Sequence, residues 1–223
     1  MAWFLTFLAL GLYGVMGALA RNWLIVRNQT DWRAHVVLKV GPTLALGLFG
    51  VLLASFANAM TPAPDGGGFF ALMAVIFVLF ALGDLFLIFD GKRAFYLGLI
   101  SFLLGHVAVI LALRAKGAHL DLWAFGPMLA VGLGLLFALR VPGWPMRGAV
   151  FAYIAVISAM VGHGTSSESG FFLPLFGAVV LFAFSDSVLA WRKFRGPFPG
   201  ADLIVWNSYW VSIAGLAIFL PVL

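Results

Sequence analysis

Apolar runs broken at intervals by Gly, Pro and charge divide the chain into eight stretches, near residues 3–20, 35–57, 69–89, 94–113, 118–139, 148–163, 171–191 and 202–222. A helix that crosses a bilayer takes about 20 such residues. The pattern therefore predicts an all-α, polytopic membrane bundle of eight transmembrane helices. The connections left over are too short for a soluble domain, so the whole of 1–223 is expected to form one integral membrane domain. Any chemistry then belongs inside the bundle or at its mouth. The first stretch ends in Ala18-Leu19-Ala20, a string like a signal-peptidase site. It lacks a basic leader and is followed by Arg21, Arg27 and Arg33, so it is expected to persist as a helix.

Composition removes whole classes of function. With 223 residues, 64% hydrophobic and 9% charged, and a mean hydropathy of +1.10, the chain cannot cover itself with a water-soluble surface. A soluble enzyme, a nucleic-acid binder, a coiled coil and a disordered chain are all excluded. The net charge of +5 has a membrane explanation, because Lys and Arg gather in cytoplasmic connections. The first, third, fifth and seventh connections carry Arg21, Arg27, Arg33, Lys92, Arg93, Arg140, Arg147, Arg192, Lys193 and Arg195, against only Arg114 and Lys116 on the other side. That bias places both termini outside the cytoplasm, in the inner (plasma) membrane of a bacterium. The absence of cysteine excludes disulfides, thiolate nucleophiles and Cys-ligated zinc.

One internal likeness stands out. VLFALGDLFL beginning at Val78 and VLFAFSDSVL beginning at Val180 agree at six of ten positions, Asp84 with Asp186 among them, at an offset of 102 residues. The offset carries the third helix onto the seventh. It suggests two tandem four-helix units, about 1–115 and 116–223, related by an axis along the membrane normal.

A carboxylate within a membrane helix costs about 2.5–3.5 kcal/mol unless it faces the bundle interior and finds partners. Asp84 and Asp186 both lie near the cytoplasmic ends of their spans; Lys39 and Tyr153 fall at a similar depth, Tyr209 slightly deeper, and His106 near mid-membrane. The shared layer is what a polar pocket opening toward the inner leaflet would need. Blander readings exist for each: the aspartates as helix-end groups paired with Arg93 or Arg192, Lys39 snorkelling to the interface, the tyrosines as belt or core residues, and His106 as a hydrogen-bonded bundle histidine. A metal site finds little support, because His35, His106, His119 and His163 lie at different depths. No HExxH, GxSxG, P-loop or Rossmann fingerprint is present. The stretches from Thr61 to Gly68 and from His163 to Glu168 read as polar connections. Gly11, Gly14, Gly17, Gly47 and Gly50 read as close helix contacts.

Two carboxylates in a low-dielectric pocket can hold one proton between them, one acid beside one anion. That suits acid-catalysed opening of an enol ether or acetal. It equally suits an intramembrane aspartyl protease or a proton-coupled lipid or small-molecule carrier, and the pair alone does not choose. For the protease, Gly83-Asp84 is suggestive, but Ala81 stands where a GxGD pattern has its first glycine.

Gly83-Asp84 after an apolar run, then Phe95, Gly98, Phe102 and His106, then Tyr153 through Met160, Gly177-Ala178 leading to Ser185-Asp186 and Ala190, and finally Tyr209, follow one another in an order and spacing that resembles the lysoplasmalogenase (YhhN-like) family of multispanning membrane proteins. The likeness is strongest over about 70–110 and 148–213. It departs where the family's adjacent Lys-Pro is split here into Lys39 and Pro42, where Val109 replaces a tyrosine, and where a glutamine after Tyr209 is missing. The resemblance implies hydrolysis of the vinyl ether of a lysoplasmalogen to a fatty aldehyde and a glycerophospho-choline or -ethanolamine, with a lysophospholipid and the bilayer as partners, no nucleic acid and no cofactor or metal. Asp84 and Asp186 are then the catalytic pair. Asp84, with the less polar neighbours Gly83 and Leu85, is favoured as the acid over Asp186, which Ser185 and Ser187 flank. Tyr153, Tyr209 and His106 would orient water or the ether oxygen, Ser185 belongs to the same constellation, and Lys39 would meet the lipid phosphate.

Overall fold

The computed structural model describes residues 2–27, 31–60, 66–165 and 171–223, and among these it contains eight helices and no strand. They are α1 (Ala2–Val26), α2 (Trp32–Met60), α3 (Gly66–Phe86), α4 (Lys92–Ala115), α5 (Leu122–Leu139), α6 (Trp144–Gly164), α7 (Phe172–Arg195) and α8 (Ala201–Phe219). Each is long and apolar enough to cross a membrane. The protein is an all-α integral membrane protein. Helix ends run past the apolar stretches: α1 continues through Arg21, α6 takes in Arg147, and α7 ends on Arg192, Lys193 and Arg195. At Arg147, Lys193 and Arg195 the exposed basic side chains allow this, since a long stem can lie along apolar surface while its head reaches water; Arg21 is half-buried, with Nε and Nη1 out of contact with solvent. Gly66, Gly67 and Gly68 belong to the first turn of α3, and His163 and Gly164 to the last of α6, rather than to loops. Thr61–Asp65 and Ser166–Gly170 lie outside the described residues.

The helices sort into two compact units. One comprises α1 to α4 as far as Ala112 together with Leu216–Val222; the other runs from Leu113 to Gly215. In the first, α2 packs on both α1 and α3. Glycine makes the approach possible: a Cβ on Gly17 would lie 2.5 Å from Pro42 Cγ, and one on Gly47 would lie 2.7 Å from Phe77 Cγ. Gly50 sits against Met73 and the Ala217 backbone. Gly11, in contrast, meets nothing within 4 Å, so it makes no such helix contact. Between α3 and α4, Phe80 closes over Gly105 and Phe102 over Gly83. In the second unit α5, α6 and α7 pack on one another. Ser185 Oγ and Ser212 Oγ then tie α7 to α8, donating across the pair to the Val205 and Ala178 carbonyls at 2.9 and 2.8 Å.

Within α3 the buried face is Met73, Ile76, Phe77, Phe80, Ala81 and Asp84; within α7 it includes Leu175, Ala178, Val179, Phe182 and Ala183. Every one of those α7 positions stands 102 residues after a buried position of α3.

Candidate active site

In the first unit the sequence of α2 sets Lys39 and Thr43 one helical turn apart, hence on one face. That face meets Asp84 of α3. Lys39 Nζ lies 3.3 Å from Asp84 Oδ1, and Thr43 Oγ1 lies 2.8 Å from Oδ2. Thr43 is fully buried and Asp84 is 1% exposed, so the carboxylate has exchanged water for an ammonium and a hydroxyl. Such exchange is what makes an ionised group tolerable in an apolar interior. Pro42, between the two donors, lacks the N–H that an interior helix position would donate, so this turn of α2 is short of one backbone bond. His106, on α4, is fully buried, with Nδ1 2.6 Å from the Phe102 carbonyl and its ring 5.5 Å from that of Phe80. A carbonyl only accepts, so Nδ1 is the protonated nitrogen of that contact.

In the second unit the donor to the carboxylate again comes from the preceding helix. Tyr153 of α6 donates its hydroxyl to Asp186 Oδ2 of α7 at 2.7 Å. Tyr209, on α8, is buried edge-on against Phe182 at 5.4 Å between ring centroids. Ser185, next to Asp186, is occupied with the Val205 carbonyl and acts as a helix tie.

Two sequence expectations change. Lys39 is turned inward to an ion pair with Asp84, in place of snorkelling to the interface. Arg192, offered as a partner for an aspartate in the spans, pairs instead with Asp202 at the start of α8. Thr43 carried no warning in the sequence, since a threonine passes unnoticed in an apolar helix; its one clue was its spacing from Lys39. Among the described residues no three His, Asp or Glu side chains gather as metal ligands.

The YhhN family model matches residues 34–220. The chain belongs to the YhhN family. This YhhN-family chain is 31% identical over 201 residues to lysoplasmalogenase TMEM86B of Homo sapiens, a match that covers 84% of the chain and 75% of that relative. Against lysoplasmalogenase TMEM86B of Sus scrofa the identity is 28% over 195 residues, 82% of the chain and 73% of the relative. No solved structure matches the chain.

Loss of the Tyr153 hydroxyl isolates one contact of this family member. Tyr153→Phe keeps the ring and removes the only atom that reaches Asp186 in that hydrogen bond. Turnover is expected to fall about tenfold, the equivalent of ~1.4 kcal/mol and the usual worth of a hydrogen bond to a charged or reacting group. Steady-state rates of the purified variant check it, and an unchanged rate would remove Tyr153 from the site.

Proposed function

We propose that the protein is a membrane hydrolase that cleaves the vinyl ether bond of lysoplasmalogens, releasing a fatty aldehyde and a glycerophospho-choline or -ethanolamine. The observation that carries this reading is the likeness to relatives named lysoplasmalogenase along 84% and 82% of the chain. The buried carboxylates add chemical sense to it. One aspartic acid gives a proton to the vinyl carbon remote from oxygen, creating an oxocarbenium ion. Water adds to the cationic carbon as the second aspartate takes its proton, and the resulting hemiacetal collapses to aldehyde and alcohol. The logic parallels glycoside hydrolysis by a carboxylate pair. Asp84 and Asp186 are assigned to these two tasks, with Lys39, Tyr153, Tyr209, His106 and Ser185 in support. The whole chain is read as one integral domain of two tandem halves, a reading favoured by the coincidence of buried positions at the 102-residue offset.

Protonation at carbon leaves a label that ester cleavage, proteolysis or transport does not. In heavy water, purified protein is expected to turn a lysoplasmalogen into an aldehyde bearing one solvent deuterium on the carbon next to the carbonyl, read after prompt reduction to the alcohol. Aldehyde without that deuterium refutes the mechanism. No aldehyde from either choline or ethanolamine substrates refutes the activity and favours a carrier.

The orientation with both termini outside the cytoplasm rests on the ten-to-two distribution of Lys and Arg over the connections. Because the chain has no cysteine, single introduced thiols report it cleanly. Asp90→Cys, in the exposed connection between α3 and α4, is expected to escape a membrane-impermeant reagent in intact cells, whereas Lys116→Cys, between α4 and α5, is expected to react. The reverse labelling would invert the topology.

A further inference from the structure

In the second unit much of the positive charge gathers at one end. Arg140 caps α5, Arg147 lies in the first turn of α6, and Arg195 ends α7. Packing holds these ends together, because Phe194, next to Arg195, lies against the buried cluster of Leu139, Val141 and Val150 on which the α5–α6 connection is built. All three arginines are exposed. Asp202, at the start of α8, pairs with Arg192, and among the described residues no carboxylate pairs with Arg140, Arg147 or Arg195.

Membrane topology asks only that a connection carry positive charge, at any point along it. These side chains are placed more narrowly than that. Arg140 has φ 52° and ψ 45°, the left-handed conformation in which a helix cap favours glycine, and among the described residues no other non-glycine has a positive φ. A cap that glycine would relax is retained where the side chain has a use outside the turn. Arg147 donates Nε to the Val141 carbonyl at 2.7 Å, and its guanidinium lies 5.8 Å from the centre of the Trp144 ring. Arg195 lies over Trp191 at the same distance. Both indoles are exposed, and tryptophan at the end of a spanning helix sits at headgroup level. Pro142 and Pro145 fix φ on either side of Gly143, so the connection that presents Arg140 and Arg147 is stiff.

We propose that this end of the second unit, Arg140, Arg147 and Arg195 with Trp144 and Trp191, is a binding surface for anionic phospholipids of the surrounding bilayer. A guanidinium meets two oxygens of a phosphodiester with parallel N–H donors, and its flat face can stack on an indole at the same time. A zwitterionic headgroup already offsets its phosphate with its own ammonium. A lipid of net negative charge, such as phosphatidylglycerol, has no such internal partner and supplies the anion that the protein withholds from these three residues. The indoles then pack on the glycerol and upper acyl region of the same lipid, which a soluble anion lacks.

Native mass spectrometry of the full-length protein in non-ionic detergent tests this, with phosphatidylglycerol and phosphatidylcholine of equal acyl chains titrated separately. Phosphatidylglycerol is expected to bind about tenfold or more tightly. Arg140→Gly suits the left-handed cap and removes the charge, so its thermal midpoint is expected to equal or exceed that of wild type while phosphatidylglycerol binds about fivefold more weakly. Arg195→Gln is expected to show a similar loss, and the two together a product of the two losses. Arg114→Gln, which removes a charge from the last turn of α4, is expected to leave the affinity within about twofold of wild type. Equal binding of the two lipids by wild type overturns the proposal. So does wild-type affinity in folded Arg140→Gly and Arg195→Gln, which would leave the arginines a topological role alone, or an equal loss in Arg114→Gln, which would make the effect one of net charge. Displacement of the bound lipid by an equal concentration of inorganic phosphate would assign the surface to a soluble anion and overturn it as well.

Discussion

Asp84→Asn and Asp186→Asn are each expected to lower aldehyde release at least about a hundredfold, ~2.7 kcal/mol of barrier, in protein that still folds. An amide offers neither the acidic hydrogen that protonates carbon nor the anion that accepts one from water, yet it preserves volume and most hydrogen bonds. The two variants should nevertheless differ in stability. Asp84→Asn leaves the half-buried Lys39 ammonium facing a neutral amide where it had a carboxylate, a loss that in fully buried pairs costs about 3–5 kcal/mol and here should cost less. Asp186→Asn leaves the Tyr153 phenol to find a new acceptor geometry. Pairing Asp84→Asn with Lys39→Met removes that charge, so the double variant should regain thermal stability without regaining activity. Activity within about tenfold of wild type in either folded single variant would sink the carboxylate mechanism.

Gly47→Ala is expected to destabilise the protein more than any other single-methyl addition on α2. The new Cβ would lie 2.7 Å from Phe77 Cγ, and Phe77 is 1% exposed with its edge held against Phe80 at 6.4 Å between ring centroids. The ring has nowhere to retreat, so α2 must move off α3. Overpacking of this kind costs about 1–3 kcal/mol, and here it also pulls Lys39 and Thr43 from Asp84. Thermal midpoints in detergent measure the first effect and turnover the second. Gly126→Ala and Gly134→Ala on α5 meet nothing within 4 Å. These should be neutral or slightly stabilising, since alanine is the better helix former by about 1 kcal/mol. Equal losses at Gly47 and Gly134 would mean that the α2–α3 contact is not what limits stability.

The helices were legible because bilayer crossing imposes a length and an apolar composition that few other constraints can imitate. Their ends were less so. Arg147 and Arg195 look like loop residues by hydropathy but continue their helices, since a long basic side chain can be helical and solvated at once. Asp84 and Asp186 were visible for the same reason that the spans were: a carboxylate in an apolar run must be explained. Their partners were harder. Proximity along the chain suggested Arg93 for Asp84, whereas the fold brings Lys39, 45 residues upstream, to its side. Spacing within a helix is local information and pairing between helices is not. Thr43 shows the limit most plainly, because its hydroxyl becomes meaningful only once α2 is laid on α3.

The composition of the first unit has a temporal corollary. Its last residues, Leu216–Val222, emerge from the ribosome about a hundred residues after Ala112. Until they do, the Gly50 surface of α2 lacks the Ala217 backbone that lies against it in the finished protein. During synthesis, therefore, α1 to α4 can be threaded into the membrane and can form the Lys39–Asp84 pair while their unit is still missing a wall. The final turn of α8 supplies that wall last, as the closing piece of the first unit.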